Sequence, residues 1–517
     1  MSTARLDPVT LSVMASALGG VAEEMGVVLV RSAYSSNIKE RRDCSAALFD
    51  AEGRMVAQAE HIPVHLGAMP EAVAAVMERD PAPGDVFVLN DPYTGGTHLP
   101  DLTLVSPLTH AGRVLGYAVT RAHHSDVGGM RPGSMPADSR EIYQEGLVIP
   151  PVRIVRGGEP VSEVVDLILA NVRTPDVRRG DLRAQLAANH VAQERLAELI
   201  GRRSEEVVLA AFAEVIAYAE RRARDAISQL PDGTYAAEGE IEGDGVSDED
   251  VPLRATVTIA GDEMRIDFEG TSQQVAGNVN CPLAVTRSAC YFALRVALPA
   301  DVPANAGTYS AVTIDAAEGL VVNARRPAAV VAGNVETSQR IADTVLLALG
   351  QATELPAQGQ GTMNNMVIGG NGWTYYETIG GGQGASARGP GPSGVHVGMS
   401  NTLNTPVEAL ELEFPLRVER YELAYGTGGA GRHRGGDGID RAVRALEPAT
   451  LSLLTDRRRH APQGAAGGEP GTPGHNRVGD EELPAKVTLE LAAGDVVTVV
   501  TPGGGGYGPP DGHTGGP

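Results

Sequence analysis

Lysine is almost missing from this 517-residue chain: Lys39 and Lys486 are its only two. Neither stands in a G-x-x-x-x-G-K-[ST] pattern, which excludes a P-loop cradle for nucleotide phosphates but not a nucleotide fold of another kind. Cysteine is scarce too. Cys44, Cys281 and Cys290 are odd in number and lack paired metal-type spacing, so no disulfide framework is expected and a reducing cytoplasm fits. No run of about 18 uninterrupted apolar residues occurs, and the start MSTARLDPVT lacks a cationic region followed by an apolar core, so neither a membrane span nor a secretory leader is expected. Positive charge is short overall. With 42 Lys+Arg against 65 Asp+Glu, the net charge of −23 is spread without long like-charge runs and disfavours a nucleic-acid partner. No G-x-S-x-G elbow is present, and Cys44 and Cys281 have no evident histidine partner, so a serine or cysteine nucleophile fits less well than metal-assisted chemistry.

What is abundant is glycine (64) and proline (34), which punctuate the chain into many turns. The expected fold is α+β, a large multi-domain mixed fold that is strand- and loop-rich with a central helical segment. At about 150 residues per domain the length allows two to four domains. The pattern divides it into an N-terminal α/β region (1–180), a helical segment (181–230) and a strand-rich C-terminal region with glycine-rich loops (231–517). Asp7-Pro8 opens a helix whose apolar stripe is Leu11, Met14, Leu18, Val21, Met25 and Val28. The polar run 37–45 reads as a solvated connection into a strand at 46–49. Leu182, Leu186, Val191 and Leu196 begin the apolar face of the helical segment, and Asp232-Gly233 ends it.

The stretch 85–131 carries the chemistry. It holds two His-x-x-Asp units, His98/Asp101 and His123/Asp126, 25 residues apart beside expected strands at 85–89 and 114–120. Two imidazoles and two carboxylates facing a common point suit a divalent ion such as Mn, Fe or Zn, and need no thiolate. One such unit carries little weight; two in glycine-rich strand ends carry more. Adjacent side chains in a strand point to opposite faces, so only one of His123 and His124 binds. The repeated spacing favours His123 and leaves His124 to the substrate or to a supporting hydrogen bond. Upstream, His61 and His65 flank Pro63, which argues against a helix there and leaves a structural or pocket role for the pair.

The loops GNVNCPL (277–283) and GNVETSQR (333–340) each precede a helix, and helix capping explains most of their polar residues. GGGQG at 380–384 has no lysine in phosphate-loop register and reads as a turn or a close approach to a partner. The stretch 462–475 is expected to be mobile, and the tail to be poorly ordered beyond Tyr507.

NDPYTGGTHLPDLT, RAHHSDVGGMRPGSMP, QEG, AEHIPVHLGAM, ERRDCSAALFD, DLRAQLAAN, GNVNCPL, GNVETSQRI and HVGMSNTLNTPVEALE together resemble the hydantoinase B/5-oxoprolinase family along nearly the whole chain. That family also includes the large subunits of acetone and acetophenone carboxylases. Its B-type subunits associate with an A-type subunit that carries the ATP site, a division with which the missing P-loop is consistent. The resemblance implies a divalent ion (Mn, Zn or Fe) on His98, Asp101, His123 and Asp126, with Asp43 of the ERRD run a weaker candidate for the same pocket. His124 stands where the acetone carboxylases carry glutamine, so HHSDVGG is closer to the lactam- and hydantoin-opening branch. The implied function is the metal-binding B subunit of an ATP-dependent cyclic amide hydrolase, in a cytoplasmic hetero-oligomer whose partner binds ATP. His124, His65 and Glu145 are the candidate proton carriers. A ketone carboxylase subunit is the alternative enzyme, and a non-catalytic scaffold is opposed by the intact ligand quartet.

Overall fold

In a computed structural model of the chain, residues 6–60, 62–65 and 67–510 are described, so His61 lies outside the described residues. Asp7 caps the first helix, Pro8–Ser32, its carboxylate accepting from Val9 N and Thr10 N. By length and mean hydropathy this helix is apolar enough to cross a membrane, although Ser, Thr, Gly and the Glu23-Glu24 pair interrupt its apolar run. Here its stripe of Met14, Leu18, Val21, Met25 and Leu29 is buried, and the helix packs against the helix Pro175–Arg203.

Seven antiparallel strands form the sheet that positions the site: β1 (Cys44–Asp50), β2 (Met55–Glu60), β3 (Val86–Leu89), β4 (Asp101–His110), β5 (Arg113–His123), β6 (Val152–Arg156) and β7 (Glu159–Pro160), in the spatial order β2-β1-β5-β4-β3-β6-β7. β1, β4 and β5 are buried on both faces, and β1 and β5 read as apolar runs rather than alternations. Pro175–Arg203 covers one face of β4 and β5, and the short helix Met69–Met77 covers the other. The helical segment starts at Pro175, six residues before the expected 181, with proline in the first turn where its missing N–H costs nothing. Ser204, at φ 107°, separates it from the next helix, Glu205–Ile227.

Beyond 230 the strands Gly233–Glu242, Asp250–Ala260, Glu263–Asp267 and Val312–Asp315 make a second sheet. A third of four strands (Asn365–Gly370, Trp373–Thr378, Ala449–Leu454, Lys486–Leu491) and a fourth of five follow. One apolar core joins Phe49, Phe87 and Val119 to Ile241, Val285, Val345 and Leu454, so residues on both sides of Asp232 share a single interior.

Two expectations change here. The Asn-bearing loops are not caps: neither Leu283–Ala297 nor Ser338–Leu349 has a side-chain cap. Instead, Asn280 Nδ2 bonds the carbonyls of Val275, Gly277 and Ala329, and Gly333–Thr337 forms a π-helical turn held on this loop by Thr337 Oγ1 donating to Val279 O. The glycine-dense loops pack against one another. Gly504 N donates to Gly436 O at 2.9 Å, and a Cβ on Gly504 would lie 2.1 Å from Gln383 O, a distance no side chain tolerates. The partner that approaches their backbone is this same chain. The stretch 462–475 joins this packing through Ala465, Glu469 and Gly471, and the chain stays buried through Tyr507; residues 511–517 lie outside those described.

Candidate metal centre

Register brings the central residues together. Asp101 begins β4 and His123 ends β5, and the two are direct cross-strand partners, so their side chains share a face. His98 joins them through a turn in which Asp101 N donates to His98 O at 3.1 Å. That turn is tight because Gly96 lies against the Asn90 carbonyl, where a Cβ would stand 2.2 Å away. The result is a triangle: His98 Nε2, His123 Nδ1 and Asp101 Oδ1 lie 3.2 Å from one another. All three residues are at most 2% exposed.

His65 completes the near surroundings, its Nε2 3.5 Å from Asp101 Oδ2 and its Nδ1 2.9 Å from Ser45 Oγ. Asp43 lines the same small cavity, of about 20 Å³, with Asn334, Met363, Tyr376 and Thr402. Its backbone carbonyl accepts from His123 N at 3.0 Å. The run 37–45 is therefore not a solvated connection, since Asn37, Arg41 and Asp43 are all buried. Arg41 donates to Tyr376 O at 2.8 Å and to the hydroxyls of Thr378 and Thr402, and its guanidinium lies 4.9 Å from the centroid of the Tyr376 ring. The other side of the stack is His123, 4.4 Å from Tyr376 between ring centroids.

Three expected residues lie elsewhere. The Oδ1 of Asp126 accepts from Gly128 N and Arg173 N, and its Oδ2 from Gly133 N and Arg173 Nη1, so this carboxylate pins loops together and is not part of the triangle. The repeated spacing fails because His98 and Asp101 span a turn, whereas His123 ends a strand and the chain bends at Ser125. His124 faces away from His123, as strand alternation requires, with Nε2 3.0 Å from Gln185 Oε1 on Pro175–Arg203. Burial, reinforced by Arg178, lowers its pKa to about 4. Glu145 is buried under the Val330 and Val331 amides and the Ser139 hydroxyl; burial raises its pKa to about 7 against those bonds. It does not line the small cavity. Tyr376 and Asn334 carried no signal as site residues in the sequence, since each arrives from a distant segment.

Burial acts to raise the pKa of Asp101, but the charge of His98 and hydrogen bonds from His123, His65 and His98 outweigh it and hold the carboxyl well below its usual value. Burial keeps His123 neutral to lower pH than usual. An ionised carboxylate beside a neutral imidazole is the state a divalent ion needs. The spacing fits as well, because donors about 2.1 Å from one ion stand roughly 3.0–3.5 Å apart. Between His98 Nε2 and His123 Nδ1 there is room for one hydrogen, whereas a shared cation satisfies all three donor atoms. His98 Nδ1 and His123 Nε2 also have no hydrogen-bond partner among the described residues. The donor set fits a divalent ion.

Among known proteins, the family described as hydantoinase B/oxoprolinase matches residues 7–510. The chain belongs to that family. 5-Oxoprolinase 1 of Arabidopsis thaliana is 38% identical over 97% of this chain, which spans 42% of that protein's length. Two solved structures share the fold of this family member. The ATP-dependent caprolactamase of Pseudomonas jessenii matches with a TM-score of 0.90 and 31% identity, over 98% of this chain and 91% of the other. An acetone carboxylase matches with a TM-score of 0.88 and 18% identity, over 97% of this chain and 76% of the other, a likeness of fold alone.

Proposed function

We propose that this chain is the metal-holding half of an ATP-dependent cyclic amide hydrolase, opening a hydantoin, 5-oxoproline or other lactam ring together with an A-type, ATP-binding partner subunit in the cytoplasm. The observation that carries this reading is the buried triangle of His98, Asp101 and His123, in a family whose relatives include 5-oxoprolinases and which shares its fold with a caprolactamase. A ring amide is resonance-stabilised, so its opening calls for both an activated carbonyl and an activated water; ATP on the partner serves the first. A divalent Mn, Zn or Fe ion held by His98, Asp101 and His123 supplies Lewis acidity and a bound water of lowered pKa.

The chain's own residues do the rest. Asp101 stays ionised and orients the two imidazoles. His65, held by Ser45 and with its Nε2 3.5 Å from Asp101 Oδ2, carries the proton that the leaving ring nitrogen takes up. Tyr376, held by Arg41, closes the cavity over His123 and excludes bulk water. Asp43 stands in the wall as a reserve oxygen ligand. His124, Asp126 and Glu145 support the framework.

The test is metal analysis of the purified chain and ATP-dependent turnover of a lactam and hydantoin panel by the complex. Full metal content and full activity in His98→Ala overturns the assignment. The same complex given ketones and labelled bicarbonate tests the carboxylase reading.

A further inference from the structure

The metal cavity, at about 20 Å³, has room for little more than one water, so a ring of several carbons has to be received elsewhere. Against it lies a chamber of about 600 Å³, within the range of small-molecule sites. The two share Ser400, and Pro63 of the chamber is flanked in the chain by Ile62 and Val64 of the cavity. The partition is thin. His396, in the chamber wall, meets Ser400 Oγ at 2.7 Å through Nδ1 and Thr402 Oγ1 at 3.2 Å through Nε2, and Thr402 lines the cavity. Apolar side chains in its wall come from two helices, Phe292 and Val296 from Leu283–Ala297, Leu346 and Leu347 from Ser338–Leu349. Polar side chains such as Asp343 and Glu354 also line it, and the polar pair next to the metal ligands is His396 and Ser400.

We propose that this chamber is the substrate vestibule. A small cyclic amide lodges its carbon skeleton against Phe292, Leu346 and Leu347 and turns its amide edge to His396 and Ser400. A ring with one apolar and one hydrogen-bonding edge matches this division, whereas a wholly polar ligand leaves the helix side chains without a partner. This assignment rests on the cyclic amide reading and names where that substrate binds.

The test reads binding without turnover. The native cysteines are all buried, so Leu347→Cys, at a position 38% exposed, places the reactive thiol in the chamber wall. Caprolactam, 2-pyrrolidone and hydantoin are added to the full chain while the rate of maleimide alkylation is followed. Occupancy at ten times the dissociation constant slows alkylation about tenfold. Adding Leu346→Trp on one helix, or Val296→Trp on the other, is expected to remove that protection with metal content unchanged. Unchanged alkylation with every ring at millimolar concentration overturns the vestibule, even where the complex opens rings. Protection in a complex that opens no ring leaves the vestibule standing and overturns the catalytic reading instead.

Discussion

The imidazole of His123 lies face to face with the phenol ring of Tyr376, centroids 4.4 Å apart and planes 13° from parallel. Tyr376 is fixed in turn by its hydroxyl, which donates to Asn365 Oδ1 at 3.0 Å, and by Arg41 on its far side. The ring orientation of one triangle member is thus set by a strand 250 residues downstream.

Tyr376→Phe keeps the stack and loses only the Asn365 bond, so metal affinity is expected to stay within a few-fold of wild type. Tyr376→Ala frees His123, and affinity is expected to fall about 10–100-fold, the usual cost of losing a residue that orients a ligand. Chelator competition measures both. Melting of the Ala variant is expected to show a loss of about 3–5 kcal/mol for the emptied ring volume.

His98→Ala and Asp126→Asn separate the triangle from the pinned carboxylate. His98→Ala is expected to lose the ion and also part of the metal-free stability, because a buried imidazole is removed from beside the Asp101 carboxylate. Asp126→Asn is expected to keep the ion while losing about 3–5 kcal/mol, because Arg173 and the loop amides lose a buried charged partner. Urea titration with elemental analysis decides; a metal-free Asp126→Asn protein restores the four-ligand arrangement.

Metal removal gives a third expectation. Stripping the chain with a chelator and returning Mn, Zn or Fe at 100 times the dissociation constant is expected to raise stability by about 2.7 kcal/mol. The rise in melting temperature is expected to vanish in His98→Ala. A rise retained in that variant points to a different site.

Glu145 has its folded pKa raised, by burial, to about 7 from an ordinary 4.5. The folded state then binds a proton that the unfolded state has released. Its contribution to stability is complete below pH 4.5 and is lost as pH rises to 7, amounting to about 3 kcal/mol. In metal-free protein, Glu145→Gln is expected to flatten that part of the pH–stability curve. A curve unchanged by the substitution shows that Glu145 is ionised in the fold.

Gly504→Ala tests the glycine packing. Its methyl group meets the Gln383 carbonyl at 2.1 Å, and displacement of that backbone is expected to cost about 1–3 kcal/mol or more. A melting temperature equal to wild type shows that the loops have room.

The elements themselves were largely legible. The Pro8–Ser32 helix shows its cap and its stripe, and β3 and β5 show their apolar runs, because local pattern alone forms them. Asp126 stands apart from the triangle for a local reason as well: equal spacing in sequence gives equal geometry only inside one kind of element, and a turn and a strand end are different elements. The glycine loops could be recognised as sites of close backbone approach, but nothing local says which backbone approaches.

By itself the sequence determined the donor chemistry, imidazole and carboxylate without thiolate, and the absence of a P-loop, because both follow from which residues exist and how they are spaced. Only the tertiary structure decided which donors meet. Antiparallel register put His123 opposite Asp101, strand alternation sent His124 to Gln185, and long-range packing delivered Tyr376 and Asn334 to the same cavity. Contacts between segments hundreds of residues apart depend on the whole fold, and no local pattern encodes them.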